Sequence, residues 1–295
     1  MTATRPIHLL QLAFGAVLVS FSPVFVKTAG IGPFAAGFWR MLFGGIFLLI
    51  IVIMRRQRIW AGWFPLGLAV LCGVFFSADL SFWHHSIFYV GPGLATILAN
   101  FQVFFVTAIA IIFLGERANW RLFVAIPLAI IGLLLLFGLD WMKLPGDYRL
   151  GVIFGLITAM CYTGYLLTLR RSRQMVIRLP NVSNIAIVCI VATIILGCEA
   201  LLADENLSLV HWESWGSMLG YGIFCQGVGW VVMSRAMPHV PASRIGLILL
   251  LQPTLSLVWD ILFFGKPMSW MESIGAAITL LAIYFGSTSR REEMV

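Results

Sequence analysis

The stretch from Gly91 to Leu114 constrains the fold of this chain more than any other, because it holds more than twenty residues without a single charge. A helix of about 20 predominantly apolar residues is long enough to cross a bilayer. Nine further stretches are predominantly apolar over similar lengths, with approximate limits 8–27, 34–54, 63–84, 119–139, 150–169, 181–203, 213–234, 241–264 and 270–288. We therefore predict an all-α integral membrane protein with ten transmembrane helices.

The composition supports a membrane protein and excludes several classes of function. Only 11% of the 295 residues are charged, against about 25% in soluble domains. The predicted loops are too short to hold a separate catalytic domain. The five cysteines lie inside apolar stretches, with no spacing that indicates a disulfide framework or a metal site, so we expect no cofactor and no metal. We attribute the net charge of +7 to cytoplasmic loops and not to nucleic-acid binding.

The lysine and arginine residues predict the orientation, since positive residues concentrate in cytoplasmic loops. With a cytoplasmic N-terminus, fourteen of the nineteen Lys and Arg residues fall in cytoplasmic segments and four on the opposite side. Arg40 is the remaining one and lies inside the second span. Both termini are therefore expected in the cytoplasm, and the membrane is expected to be a bacterial-type inner membrane.

The chain contains a weak internal repeat with a shift of 150 positions. Gln102 in the fourth span corresponds to Gln252 in the ninth, and both spans end in a glycine next to a charge, with a tryptophan five residues beyond that glycine. We predict two five-span units, residues 1–140 and 141–295. Because five is odd, the second unit enters the membrane inverted, which is the plan of many secondary transporters. The alternative is a two-copy scaffold or channel.

The fifth and tenth spans carry almost nothing polar beyond their first turns, so both are predicted to be outer helices. Gly275, Ala276 and Thr279 form a stripe of small residues on the tenth span, and such a stripe can pack against another helix. The pattern indicates contact with the lipid bilayer or a homodimer through these two helices.

Polar side chains inside a bilayer are costly and usually face a cavity or a partner helix. Uncharged polar residues lie near the predicted midplane on four helices from both units: Asn100, Gln102, Tyr162, Thr163, Gln226 and Gln252. We predict that they converge on a central cavity and contact the substrate, together with the ring of Trp230. The alternative for each one is a hydrogen bond that bridges two helices. A neutral polar centre with aromatic walls suits a small zwitterion or polar metabolite.

Arg40 in the second span and Asp79 in the third are charges at similar predicted depths on consecutive antiparallel helices. We expect an ion pair between them, which either pins the two helices or serves as an outer gate or a charge site for the substrate. His84 and His85 follow at the predicted outer end of the third span and are interpreted as interfacial anchors. Adjacent helical residues diverge by about 100°, so these two are poorly placed to share a metal ion.

Four short motifs carry a family resemblance. The fourth span ends in Phe113-Leu114-Gly115-Glu116, the second contains Trp39-Arg40, and the ninth contains Gln252-Pro253 and ends in Phe263-Phe264-Gly265-Lys266. With these motifs and its five-plus-five plan, the chain resembles the drug/metabolite transporter superfamily, in its EamA-type exporter branch. Lys266 replaces the acid usual at that place, and Val103 stands where the first unit usually has a proline. Within the superfamily the chain looks most like the YddG group of aromatic-amino-acid exporters.

The resemblance implies a transporter that exports amino acids, aromatic and others, or related small metabolites by alternating access. The alternative is a multidrug efflux pump for lipophilic cations, with Asp79 as its intramembrane acid. Small multidrug pumps of the superfamily place a glutamate in their first span. The first span here has no acid, so any proton coupling needs another group. An enzyme is disfavoured, because the sequence has no metalloprotease motif, paired acidic motif or phosphate-binding loop.

Overall fold

Every regular element in the part of the chain that the computed structural model describes is helical. That part comprises residues 6–102, 104–105, 108–109, 112, 120–137, 145–236, 248–249 and 251–288. The prediction of an all-α chain is confirmed for these residues. The motif at 113–116 and the residue at 103, both used in the sequence comparison above, lie outside the described residues.

The helices follow the predicted spans closely. In the first half, the described helices are α1 (Pro6–Ser20), α2 (Ser22–Ala29), α3 (Pro33–Met54), α4 (Trp63–Val90), α5 (Pro92–Ala99) and α6 (Trp120–Phe137). In the second half, they are α7 (Gly146–Gln174), α8 (Asn181–Leu202), α9 (Trp212–Gly220), a π-helical segment (Tyr221–Gly229), α10 (Trp230–Ala236), α11 (Leu251–Phe264) and α12 (Trp270–Thr288). We refer to Tyr221–Gly229 as the π-segment.

Among the described residues, five helical segments are long and apolar enough to cross a membrane by length and composition: Pro6–Ala29, Pro33–Met54, Trp63–Val90, Gly146–Arg173 and Asn181–Leu202. Leu251–Phe264 and Trp270–Phe285 are shorter apolar helices. Helix is present inside each of the ten predicted spans. The number of crossings and the side on which the termini lie stay predictions.

Helix α4 continues six residues beyond its predicted end at residue 84. The added turns are held by the core, because Ile87 and Val90 are 2% and 3% exposed. The helix then ends at Gly91, whose φ of 87° is in the region that favours glycine. Pro92 starts α5 at once, since a proline without an N–H fits the first turn of a helix.

The main helix contacts join one half of the chain to the other. Helix α4 packs along α7, and α1 packs along the π-segment and α10. Helix α3 packs on α8, α5 on α11 and α6 on α12. If every helix is replaced by its counterpart in the other half, this set of contacts is unchanged.

The approach of α3 to the π-segment requires glycine. A Cβ atom on Gly44 would lie 2.7 Å from Cγ of Gln226 and 3.1 Å from the carbonyl oxygen of Gly222. Both distances are shorter than ordinary van der Waals contact, so only glycine fits without displacing its neighbours. This close packing brings Gln226 next to Arg40 on α3.

The two predicted outer helices, α6 and α12, pack on each other. A Cβ atom on Gly132 of α6 would lie 2.7 Å from the backbone nitrogen of Thr279 and 2.9 Å from the carbonyl oxygen of Gly275. The predicted stripe of small residues therefore packs within the chain. A homodimer would have to use the other faces of these helices, where Ile130 and Leu281 are 51% and 52% exposed.

Candidate functional site

A cavity of about 100 Å³ lies between the two halves of the chain. Its wall takes residues from α1 to α5 in the first half and from α7, α10 and α11 in the second. Two charged side chains, Arg40 and Asp79, are part of this wall.

Seven of the nine predicted site residues line this cavity: Arg40, Asp79, Asn100, Gln102, Tyr162, Trp230 and Gln252. The two glutamines that match across the internal repeat thus face it from opposite halves. The Oε1 atom of Gln102 is buried without a hydrogen-bond donor among the described residues. An amide oxygen in that state is an available acceptor for a ligand.

Gln226 and Thr163, which were expected to contact the substrate, lie behind the cavity wall. Each is 1% exposed. The Thr163 hydroxyl lies 2.8 Å from the Ala159 carbonyl oxygen and 3.4 Å from that of Gln102. Gln226 accepts hydrogen bonds from Arg40. Both residues therefore hold a residue of the wall in place.

Three irregularities in the helices lie next to residues of the cavity wall. The first predicted span is divided at Phe21, between α1 and α2. The eighth contains the π-segment, and π-turns are frequent at functional sites. The fourth, predicted as one continuous helix, is interrupted by a turn at Asn100 and Phe101. There the Asn100 side-chain amide donates to the Thr96 carbonyl oxygen at 2.8 Å, and such side-chain bonds compete with the helical backbone ladder.

The Arg40 guanidinium is held by two residues of the π-segment. Its Nε and Nη2 atoms both donate to Oε1 of Gln226, at 3.1 and 3.0 Å, and Nη1 donates to the Tyr221 hydroxyl at 2.5 Å. The guanidinium carbon also lies 4.6 Å from the centre of the Tyr221 ring. Three of the five N–H groups of the guanidinium are engaged in these bonds. The other two remain for a ligand.

The expected ion pair between Arg40 and Asp79 is not formed. Both residues are described, and their charged groups do not come within ion-pair distance of each other. The extra turns of α4 explain the difference, because Asp79 lies eleven residues from Val90, about 16 Å, whereas Arg40 lies seven residues from Pro33, about 10 Å. Asp79 is 7% exposed, and no donor or cation contacts its carboxylate within the described part of the chain.

Aromatic rings form part of the cavity wall and lie against Arg40. The ring centres of Phe76 and Tyr162 lie 5.9 and 6.4 Å from that of Trp230, both in edge-to-face arrangements. The Arg40 guanidinium carbon lies 5.6 Å from the centre of the Phe76 ring. The wall thus offers flat apolar surface beside a guanidinium, a carboxylate and side-chain amides.

A second group of charges lies at the junction of α4 and α5. The Asp260 carboxylate, on a residue that is 1% exposed, is 3.8 Å from the Lys27 ammonium and 3.7 Å from that of Lys266. Lys266 also donates to the Val90 carbonyl oxygen at 3.0 Å, and the Gly93 N–H donates to Asp260 at 3.4 Å.

Sequence reasoning missed two members of the Arg40 network, Tyr221 and His84. Both are fully buried, and Nε2 of His84 lies 3.1 Å from the Tyr221 hydroxyl oxygen. The interpretation of His84 as an interfacial anchor is wrong, because α4 extends past it. Tyr221 precedes Gln226 by five residues, and this spacing would have indicated a shared face only if a π-helix had been assumed.

Among the described residues, no group of three or more His, Cys, Asp or Glu side chains is close enough together to hold a metal ion. The cavity wall combines charged, amide and aromatic side chains. Arg40 can bind an anionic group, Asp79 a cationic one, and the rings of Phe76 and Trp230 an apolar or aromatic body.

Comparison with known proteins identifies the class of this protein. The model of the EamA-like transporter family matches the chain twice, over residues 7–138 and 149–288. An uncharacterized transporter of Archaeoglobus fulgidus is 24% identical over 277 residues, which cover 92% of this chain and 93% of that protein. The pseudopaline exporter CntI of Pseudomonas aeruginosa is 24% identical over 240 residues, or 80% of each chain.

A solved crystal structure shares the fold. It superimposes with a TM-score of 0.69 over 97% of this chain and 99% of its own, at 18% sequence identity. The fold, the apolar helices and the family match define a multi-pass membrane transporter whose substrates are small molecules. The chain belongs to the EamA-like transporter family.

Proposed function

We propose that this chain is an inner-membrane secondary transporter that exports amino acids, aromatic ones among them, by alternating access through the central cavity. The observation that carries the proposal is the separation of Arg40 and Asp79 on one cavity wall. An α-amino acid presents a carboxylate and an ammonium group on the same carbon, so it can engage both charges at once. A substrate with two opposite charges also leaves neither wall charge unpaired, which is costly in a buried site.

The proposed architecture is ten transmembrane helices in two inverted five-helix units, residues 1–140 and 141–295, with both termini in the cytoplasm. Two separate family matches support the division. The helix contacts also support it, because they stay the same when each helix is replaced by its counterpart in the other half. Reporter fusions at the two ends test the orientation, since each reporter should show activity typical of the cytoplasm.

The polar wall residues have distinct proposed roles. Arg40 binds the substrate carboxylate, and Asp79 binds its ammonium group. Asn100, Gln102 and Gln252 provide hydrogen bonds to the polar atoms that remain. Tyr162 and Trp230 form aromatic surface, which supports the resemblance to exporters of aromatic amino acids. Gln226 and Thr163 act through Arg40 and Gln102 instead of through the substrate.

A multidrug pump for lipophilic cations is the second candidate. It is favoured by Asp79, an acid without a partner among the described residues, next to the aromatic rings of Phe76 and Trp230. Arg40 on the same wall counts against it, because a guanidinium repels a cation that has no anionic group of its own. One of the relatives is the pseudopaline exporter CntI, and this similarity supports the export of small metabolites in general.

Counterflow in proteoliposomes tests the proposal. Vesicles containing the purified protein are loaded with one unlabelled standard L-amino acid and mixed with the same labelled compound outside. Saturable uptake of label, absent from protein-free vesicles, is the expected result for at least one aromatic amino acid. Exchange of a lipophilic cation such as tetraphenylphosphonium, without exchange of any amino acid, would transfer the assignment to the multidrug class.

A further inference from the structure

We propose that Asp79 is also a proton-binding site, and that a proton and the substrate's ammonium group occupy its carboxylate in turn. Export of one substrate molecule is thereby coupled to entry of a proton. The inference rests on the proposed function, since it uses the same cavity, but it adds an energy source that a facilitated exporter does not have.

The first observation is the lack of partners around Asp79. The residue is 7% exposed, lies on the cavity wall, and receives no hydrogen bond or cation contact from the described residues. Asp260, the other described acid that is buried to this degree, has two lysine ammonium groups and a backbone N–H around its carboxylate. A buried ionised carboxylate without such partners is strongly unfavourable. When the cavity is empty, Asp79 therefore has reason to carry a proton.

The second observation concerns the groups that face Asp79. Arg40 on α3 is the charged group that acts on Asp79. The titratable groups on which Asp79 in turn acts are thiol and hydroxyl groups, which are ordinarily uncharged at neutral pH: Cys161, Tyr162 and Tyr165 on α7 and Tyr221 in the π-segment. Lys27 on α2 is paired with Asp260. Glu199 on α8 interacts with Ser81, which lies two residues on from Asp79 and so on the opposite side of α4.

Arg40 is thus the one charge, among the described groups that act on Asp79, that could keep it ionised. Gln226 and Tyr221 hold the guanidinium by three hydrogen bonds, and this prevents it from closing onto the carboxylate. His84, one helical turn on from Leu80, faces Tyr221 and belongs to the same network. The network therefore keeps the two wall charges apart and leaves Asp79 for a ligand.

The exchange step follows from these contacts. When a substrate ammonium approaches, the O–H bond of the protonated Asp79 breaks, the electron pair stays on the carboxylate, and the proton passes to water on the open side. The ammonium group then donates a hydrogen bond to the carboxylate. Because a proton and a substrate cannot hold the same carboxylate together, a proton gradient directed inward drives the substrate outward.

The test uses proteoliposomes with the full-length protein and labelled L-phenylalanine, or the amino acid with the fastest counterflow. Potassium and valinomycin clamp the membrane potential, and uptake is measured with and without an acidic vesicle interior. For wild type, exchange of one proton predicts accumulation of about tenfold per unit of pH difference. Asp79→Asn should lose the accumulation, and its remaining counterflow should need a higher substrate concentration, because a neutral amide binds the ammonium group more weakly than a carboxylate does. Asp79→Glu should restore part of the accumulation, and Glu199→Gln, a carboxylate-to-amide change outside the cavity, should behave as wild type.

A second measurement, on the wild type, tests the coupling if Asp79→Asn is inactive in both assays. Calorimetry of L-phenylalanine binding to solubilised wild type, in two buffers of different ionisation enthalpy, should show release of a proton on binding. Counterflow in wild type without any effect of the pH gradient, or without proton release, overturns the coupling and leaves the proposed function intact. A gradient response that persists in Asp79→Asn also overturns it. If wild type exchanges no amino acid at all, the proposed function itself fails.

Discussion

One oxygen atom of Gln226 accepts two hydrogen bonds from Arg40, at 3.1 Å from Nε and 3.0 Å from Nη2. The two residues are 186 positions apart in the sequence and belong to opposite halves of the chain. The bond fixes the guanidinium against the π-segment, so its positive charge faces the cavity without neutralising Asp79. A polar residue outside the cavity wall therefore decides the charge pattern inside it.

Removing this acceptor should weaken binding of carboxylate-bearing substrates. For Gln226→Leu we expect KM for L-phenylalanine counterflow to rise about tenfold or more, since a hydrogen bond to a charged group contributes about 1.5–3 kcal/mol. Without this acceptor, the Arg40 guanidinium is no longer fixed with its charge towards the cavity. The measurement is the concentration dependence of counterflow initial rates.

Asn184→Leu provides the matched control, because Asn184 is a buried amide on α8 without a hydrogen-bond partner in the described part of the chain. Its KM should stay unchanged. Phenylethylamine lacks the carboxylate. In Gln226→Leu, its inhibition constant should therefore rise much less than the KM of L-phenylalanine. An equal loss for both compounds would mean that Gln226 has only a structural role.

The Asp260 cluster gives a prediction about stability. The Asp260 side chain is 1% exposed, whereas those of Lys27 and Lys266 are 43% and 30% exposed. A buried charge left without its partners costs about 3–5 kcal/mol, but partly exposed lysines can turn to water. The double variant Lys27→Ala/Lys266→Ala should therefore lower the melting temperature more than Asp260→Asn does. Thermal denaturation of the solubilised protein measures both, and the reverse order would contradict the assignment of Asp260 as the central charge.

The packing of α6 on α12 predicts a local effect on stability. For Gly132→Val, the new Cβ would meet backbone atoms of Thr279 and Gly275 at 2.7 and 2.9 Å, and overpacking of this kind costs about 1–3 kcal/mol. We expect a lower melting temperature with an unchanged KM, because none of the described residues of these two helices lines the cavity. Gly67→Val on α4 is the control, since a Cβ there meets nothing within 4 Å. Equal melting temperatures for the two variants would show that α6 and α12 are not closely packed.

The sequence predicts most helix limits because apolar stretches of bilayer length are bounded by glycine, proline and charge. The second span was expected at 34–54 and is observed as Pro33–Met54, and the tenth was expected at 270–288 and is observed as Trp270–Thr288. The third was placed six residues short, because His84 and His85 resemble an interfacial boundary. His84 is buried since Tyr221, from the other half of the chain, supplies its hydrogen bond.

The cavity wall was also largely predictable, since seven residues chosen for their depth and polarity line one cavity. Depth alone could not predict which polar groups satisfy one another. Arg40 and Asp79 lie on consecutive helices, but the partner of Arg40 is set by the π-segment and by the close approach of Gly44 to Gly222. Neither the π-segment nor this close approach produces a periodic pattern of residues in the sequence from which it could be predicted.

The most direct test of the zwitterion site compares three inhibitors of counterflow by the wild-type protein. L-Phenylalanine has both charges, phenylethylamine lacks the carboxylate, and 3-phenylpropanoate lacks the ammonium group. Each missing charged hydrogen bond should cost about 1.5–3 kcal/mol, so phenylalanine should inhibit at concentrations about tenfold or more below those of either analogue. Inhibition by phenylethylamine as strong as that by phenylalanine would contradict the role of Arg40 and identify the cavity as a site for lipophilic cations.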